Sequence, residues 1–189
     1  MTEDLSLRRR VVSLLPFLLT VAAGRGDAQG YPVWTSPGPF LSGQFGADAA
    51  NLGDVDADGI DDLAVLRPQS VHFISGATGS SIILFAPPLP TSPSPFRDIA
   101  GVGDCNGDGA PDIAVGVAGT GLFNDGTVRV HSGSSGLQLW SVAGGPSESL
   151  GRAVAGPGDL NGNGVPDVVA GGGSFVRALS GTNGAVLYT

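Results

Sequence analysis

The chain has 189 residues, enough for one domain with a substantial core; 41% are apolar and only 14% are charged. Its 32 glycines and 14 prolines are spread among short apolar runs, which excludes a disordered tail and points to many turns joining short strands. The formal net charge is −8, with arginine but no lysine, so the surface repels phosphate backbones and nucleic acid is excluded as an expected partner.

Residues 1–28 read as a secretory signal peptide. Arg8-Arg9-Arg10 supply a basic start, and Val11 to Ala23 supply an apolar run shorter than the roughly 20 residues of a membrane span. Gly26-Asp27-Ala28 offers a small-x-small cleavage site. The expected mature chain is therefore 29–189, secreted to the extracellular space or periplasm, with no membrane span after cleavage. Tyr31-Pro32-Val33-Trp34-Thr35 then resembles the last strand of a repeat whose full copies follow.

Three copies of one pattern occupy the rest, at about 40–86, 96–142 and 150–189. Each is centred on a loop of the form Asp-x-Asp/Asn-x-Asp/Asn-Gly-x-x-Asp, beginning at Asp54, Asp104 and Asp159. The spacings of 50 and 55 residues are those of a propeller or an array, not a helical solenoid. Eight or nine residues before each loop stand Phe45-Gly46, Phe96-Arg97 and Leu150-Gly151. Directly after it come Leu63-Ala64-Val65-Leu66, Ile113-Ala114-Val115 and Val168-Val169-Ala170. A further run ends at Ser-Gly (Val71 to Gly76, Val128 to Gly133, Val176 to Gly181), and a last one follows a short turn (Ile82 to Phe85, Leu137 to Trp140, Ala185 to Tyr188). β-Branched and aromatic residues bounded by Gly, Pro, Ser and Asn predict strands, four to each repeat and antiparallel. The expected fold is all-β, with β-propeller blades of four antiparallel strands.

The loops carry the chemistry. Oxygen-bearing side chains alternate at loop positions 1, 3, 5 and 9, glycine at position 6 allows a sharp turn, and the position 7 carbonyl can point inward. A hard cation such as calcium takes six to eight oxygens at about 2.3–2.6 Å, which is what such a loop offers. The candidate ligands are Asp54, Asp56, Asp58, Asp62 and the Ile60 carbonyl in the first loop. Asp104, Asn106, Asp108, Asp112 and the Ala110 carbonyl form the second set. Asp159, Asn161, Asn163, Asp167 and the Val165 carbonyl form the third. Up to three Ca2+ ions are expected. With four, three and two carboxylates in turn, the third site should be the weakest. Of the 17 acids, nine stand at these positions, so cation binding would relieve much of the chain's self-repulsion. Cys105, at position 2 of the second loop, is expected to point away from the ion as a small filler; as the single cysteine it has no intrachain disulfide partner.

Candidates for other chemistry are few. Two histidines, one cysteine and no lysine leave little for a general base or nucleophile, and neither a Gly-x-Ser-x-Gly elbow nor a His-Glu-x-x-His pair occurs. The expectation is a protein that is not an enzyme. His72, Arg129 and Arg177 recur three residues before the Ser of each Ser-Gly pair, a position expected on a solvated or inter-blade face. Trp34, Trp140 and Tyr188 occupy corresponding last-strand positions, where packing between blades is the expected role.

The Phe-Gly lead-in, the Asp-rich loop and the Leu-Ala-Val strand after it resemble FG-GAP repeats, the blades of the integrin alpha-subunit propeller and of many secreted bacterial proteins. The likeness extends over residues 40–189. It departs from the family where Leu66-Arg67-Pro68, Gly116-Val117-Ala118 and Gly171-Gly172-Gly173 replace Gly-Ala-Pro, and Phe-Gly is intact only in the first copy. An EF-hand is excluded because Val65, Val115 and Ala170 stand where its bidentate Glu would be. The resemblance implies structural calcium and a secreted module for adhesion, binding an extracellular protein or glycan. The alternative is the non-catalytic propeller portion of a larger extracellular hydrolase. Three blades cannot close a ring that takes four to eight. Either the chain is a fragment of a longer propeller, the preferred expectation, or copies self-associate through exposed blade edges.

Overall fold

The computed structural model describes residues 11–15, 18–21, 34–37, 45–67, 70–85, 96–117, 119 and 125–189. Its first sheet joins β1 (Val11–Leu15), β2 (Leu18–Val21) and β3 (Trp34–Pro37) in antiparallel order. Two of these strands lie within the expected signal peptide, whose cleavage site falls outside the described residues. Trp34 pairs with Val21 at the edge of this sheet, so its strand does not stand as the last strand of a partial repeat. A leader rich in Val and Leu satisfies strand pairing as readily as it would a helix.

Three four-stranded antiparallel sheets follow, one per repeat. Blade 1 runs β4 (Asp48–Gly53), β5 (Asp62–Arg67), β6 (Ser70–Ile74) and β7 (Ser81–Phe85). Blade 2 runs β8 (Phe96–Gly103), β9 (Asp112–Val117), β10 (Thr127–His131) and β11 (Gln138–Ala143). Blade 3 runs β12 (Ala153–Gly158), β13 (Asp167–Gly171), β14 (Val176–Leu179) and β15 (Val186–Tyr188). In every blade the strands pair in sequence order, and the described residues contain no helix. The four strands expected in each repeat are all present.

Equivalent registers recur: Ala50 opposite Ala64, Ala100 opposite Ala114, and Ala155 opposite Val169. The first strand of each blade is irregular just before the Asp loop, between Asn51 and Gly53, Gly101 and Gly103, and Ala155 and Gly158. A bulge there bends the strand and aims the loop away from the sheet.

Most of the core lies between blades, with a smaller cluster of Phe45, Val65 and Ile74 within blade 1. Leu52, Ala64, Leu66, Val71 and Phe73 of blade 1 pack against Phe96, Ile99, Ile113, Val115 and Val117 of blade 2. Val102, Cys105, Val128, Val130 and Trp140 on the opposite face of blade 2 pack against Leu150, Val154, Val168 and Leu179 of blade 3. A middle blade is thus covered on both faces, which is why every residue of β9 is buried and its sequence lacks apolar–polar alternation. Each such side chain contributes roughly 1.5–3 kcal/mol when fully buried, so the junctions carry most of the stability. The lead-in residues Phe96 and Leu150 belong to these junctions, whereas Phe45 is buried against Val65 and Ile74 of its own blade. The order is a one-way stack in which each blade has an incoming face toward its predecessor and an outgoing face toward its successor, and the stack does not close on itself.

Candidate metal loops and blade junctions

Each Asp loop is wound by its own side chains. The position 1 carboxylate is the hub. Asp54 Oδ1 accepts the N–H of Asp58 at 3.1 Å and its Oδ2 that of Gly59 at 2.8 Å. Asp104 and Asp159 do more: their Oδ1 atoms accept from the next three loop amides (Asn106 to Asp108, Asn161 to Asn163), and their Oδ2 atoms from Gly109 and Gly164. These bonds hold the Asp159 carboxyl below its ordinary range, the Gly164 bond foremost. Position 5 repeats the device on position 7, where Asp58, Asp108 and Asn163 accept the N–H of Ile60, Ala110 and Val165 at 2.8–2.9 Å. Asp and Asn suit these places because a short side-chain oxygen can mimic a backbone acceptor. Position 4 is left-handed: Gly107 and Gly162 adopt φ of 77°, whereas Ala57 adopts 61° and bears the steric cost of its Cβ.

The first loop brings one oxygen each from Asp54, Asp56 and Asp58 within 4.8 Å of one another, the one such acidic cluster among the described residues. Three hard, mostly exposed carboxylates converging at that separation fit a divalent cation of the calcium type. In the second loop Asp108 Oδ2 is instead drawn to Ser134 Oγ at 2.7 Å, Asn106 Nδ2 at 2.9 Å and Ser132 Oγ at 3.2 Å. These donors, Ser134 first, together with the Ala110 N–H, hold its carboxyl at about 2. The third loop offers Asn161 and Asn163, and the Asn161 amide reaches Asp167 Oδ1 at 3.5 Å.

Position 9 has a role that sequence reasoning missed. Asp62, Asp112 and Asp167 are completely buried. In each, Oδ2 accepts the N–H of loop position 2 (Val55, Cys105, Leu160) at 2.8 Å. Each Oδ1 accepts the N–H of the glycine in the Ser-Gly pair (Gly76, Gly133, Gly181) at 3.0 Å. One carboxylate therefore ties the start of the loop to the end of the third strand. The glycine is required because a Cβ at Gly76, Gly133 or Gly181 would lie about 2 Å or less from the position 8 carbonyl oxygen. Burial outweighs these bonds in the carboxyl's titration: Asp112 is pushed up to about 6 and Asp62 is raised. The recurrence of a Ser-Gly pair after the position 9 Asp in all three copies, 14 or 21 residues on, was the sequence signal for this clamp.

Junction residues were equally unread. Asp48 Oδ2 accepts the N–H of Ile99 at 3.1 Å, and Asp98 Oδ2 accepts that of Val154 at 2.7 Å, so the first strand of a blade clasps the first strand of the next. Burial, with Asp48 nearby, raises the Asp98 carboxyl. Cys105 points into the blade 2–3 junction, its Sγ 3.5 Å from the Pro166 carbonyl oxygen, and burial pushes its thiol up to about 12. Trp140 donates from Nε1 to the Gly181 carbonyl at 2.6 Å, in accord with the packing role expected of it.

His72, Arg129 and Arg177 do not make an open cationic ring. His72 is buried edge-on to Phe45, its pKa lowered by burial. Arg177 forms a two-pronged pair with Glu148 at 2.7 and 2.9 Å and lies 4.5 Å over the Phe175 ring.

Stacked four-stranded blades with a clamped Asp loop between their first two strands define a β-propeller-type repeat protein. The FG-GAP-like repeat profile matches residues 104–170. Integrin alpha pat-2 of Caenorhabditis briggsae is 28% identical over 183 residues, an alignment covering 78% of this chain and 14% of that protein. A crystal structure of a Bacteroides caccae protein of unknown function superposes with a TM-score of 0.51 at 13% identity, over 91% of this chain and 53% of that one, a likeness of fold alone. Over residues 104–170 the chain is thus similar to FG-GAP-like repeats, and it spans 14% of the integrin and about half of the bacterial protein.

Proposed function

We propose that this chain is a secreted, calcium-stabilised propeller module of the adhesion type, with calcium in a structural and not a catalytic role. The observation that carries the reading is the convergence of Asp54, Asp56 and Asp58 in a loop pre-wound by its own hydrogen bonds. When bound there, calcium would neutralise the three like charges and hold the loop between β4 and β5, with the Ile60 carbonyl and Asp62 as the further expected ligands. Corresponding sites at Asp104, Asn106, Asp108, Ala110 and Asp112, and at Asp159, Asn161, Asn163, Val165 and Asp167, are weaker in that order. The likeness to an integrin alpha chain supports an extracellular protein or glycan as the partner. The histidines are buried and the loop carboxylates are occupied by loop amides, which supports recognition over catalysis. No helix among the described residues is long and apolar enough to cross a membrane.

Because calcium binds the folded chain, it stabilises by RT ln(1 + [Ca]/Kd), about 2.7 kcal/mol per site at a hundredfold excess over Kd. Melting with calcium and with EDTA tests this: a rise of several degrees is expected, and an unchanged Tm would refute the metal assignment. Binding to an array of extracellular proteins and glycans tests the recognition role separately; silence there would refute it while leaving the metal intact.

A further inference from the structure

We infer that the second Asp loop is latched by serine hydroxyls where the first is left open to a cation, and that Ser134 is the residue that sets their calcium responses apart. The inference rests on the metal reading proposed above and adds to it a residue outside the ligand set. The turn between β10 and β11 carries Ser132, Gly133 and Ser134. Gly133 is bound to Asp112 by the clamp, which fixes the turn against the loop. From that place Ser134 donates to Asp108 Oδ2 at 2.7 Å. The buried Ser132 hydroxyl lies 3.2 Å from the same oxygen and 3.0 Å from Ser134 Oγ. Asn106 Nδ2 adds a further donor at 2.9 Å, and the Ala110 N–H takes Oδ1 at 2.9 Å. Both oxygens of this position 5 carboxylate are thus engaged. A cation recruits it only by displacing hydroxyls bonded to a full negative charge, which are the stronger class of hydrogen bond.

The first loop has the same frame without the latch. Gly76 takes the place of Gly133 on its own clamp aspartate, Asp62, and Ser75 takes that of Ser132. Ser75 Oγ accepts the N–H of Thr78 at 3.3 Å. Ala77 stands where blade 2 has Ser134, and Asp56 where it has Asn106. A methyl group and a carboxylate have no proton to give, so neither draws Asp58 away from its neighbours. Its oxygen stays within 4.8 Å of those of Asp54 and Asp56. The third loop has no charge to latch: Asn163 stands at position 5, its Oδ1 on the Val165 N–H at 2.8 Å.

The first two loops therefore differ in kind. The second is satisfied without an ion, whereas the first keeps three like charges together that only a cation neutralises. The gap in their calcium affinity exceeds what one lost carboxylate gives, by about tenfold for the displaced charged hydrogen bond.

The test is calcium titration of the full chain, followed by the NMR amide shifts of Gly59, Gly109 and Gly164, which donate to Asp54, Asp104 and Asp159. Ser134→Ala is expected to lower the calcium midpoint at Gly109 about tenfold and to leave that at Gly59 within twofold. Ser134→Thr keeps the hydroxyl and should stay within about threefold of the unaltered chain at Gly109. Ala77→Ser, the reverse exchange, should raise the Gly59 midpoint at least threefold. A Gly109 midpoint unmoved by Ser134→Ala, with Gly59 still responding, would overturn the inference and leave the metal reading standing. Calcium shifts at none of the three glycines would overturn the metal reading and the calcium selectivity together. The latch itself is read in EDTA, where hydrogen exchange of the Ala110 amide should quicken at least threefold in Ser134→Ala. Unchanged exchange there would overturn the latch whether or not calcium binds.

Discussion

Replacing Asp112 by alanine in EDTA reads its clamp role apart from its proposed metal role. The carboxylate is fully buried and accepts N–H groups of Cys105 and Gly133 at 2.8 and 3.0 Å. Its removal leaves two buried donors without an acceptor, at roughly 1–3 kcal/mol each. Relief of the buried charge, visible as the upward push of this carboxyl to about 6, offsets part of that loss. A net loss of about 3 kcal/mol is expected in EDTA, a large share of the roughly 5–15 kcal/mol of a whole domain. Asp112→Asn, which keeps one acceptor oxygen, should lose about half as much. Asp54→Ala is the contrast: its acceptor role lies in a half-exposed loop where water substitutes, so less than about 1 kcal/mol should go in EDTA while the calcium-dependent gain at the first loop disappears. Urea unfolding of the three variants with EDTA and with calcium measures all of this. A loss under about 1 kcal/mol for Asp112→Ala in EDTA, or an equal loss for Asp54→Ala, would refute the division of labour.

Ala57→Gly should raise stability by about 0.5–1 kcal/mol, because a non-glycine at φ 61° is relieved of its Cβ clash; a lower urea midpoint would contradict this. Cys105 should resist thiol reagents in the native protein and react on unfolding, since burial pushes its thiol up to about 12; stoichiometric labelling without denaturant would count against its place in the junction. In EDTA, the raised carboxyls make stability fall as pH rises above about 4, while the lowered His72 and His131 oppose this by making it rise toward their ordinary range. The raised Asp112, Asp62 and Asp98 keep protons in the fold that the unfolded chain releases, so their ionisation removes stability as pH rises from about 4 through about 6. The lowered Asp108, Asp159 and Glu148 act in the opposite window: their contribution is present above about pH 4 and is lost as pH falls toward about 2. Asp112→Asn should remove the Asp112 part of the decline between about pH 4.5 and 6.5, and an unchanged pH dependence of Tm in EDTA in that variant would overturn the assignment of Asp112.

The sequence by itself determined the repeat, the four strands of each blade and the loop that punctuates them. These are local facts: runs of Val, Ile and Leu between turn residues prefer extended backbone wherever they stand, and alternating Asp and Asn wind a loop through bonds only a few residues long. What the tertiary structure decided was direction and closeness. Asp62, Asp112 and Asp167 read as ligands because they complete a spacing, yet each is buried against a glycine 14 or 21 residues on, and only the folded chain brings that N–H to it. Likewise Gly101, Gly156, Pro111 and Pro166 look like ordinary turn and strand punctuation. Their role arises from the close approach of neighbouring blades, where a Cβ at Gly101 or Gly156 would lie 2.3 Å from a carbonyl oxygen of the preceding blade, and no spacing along one chain encodes that approach.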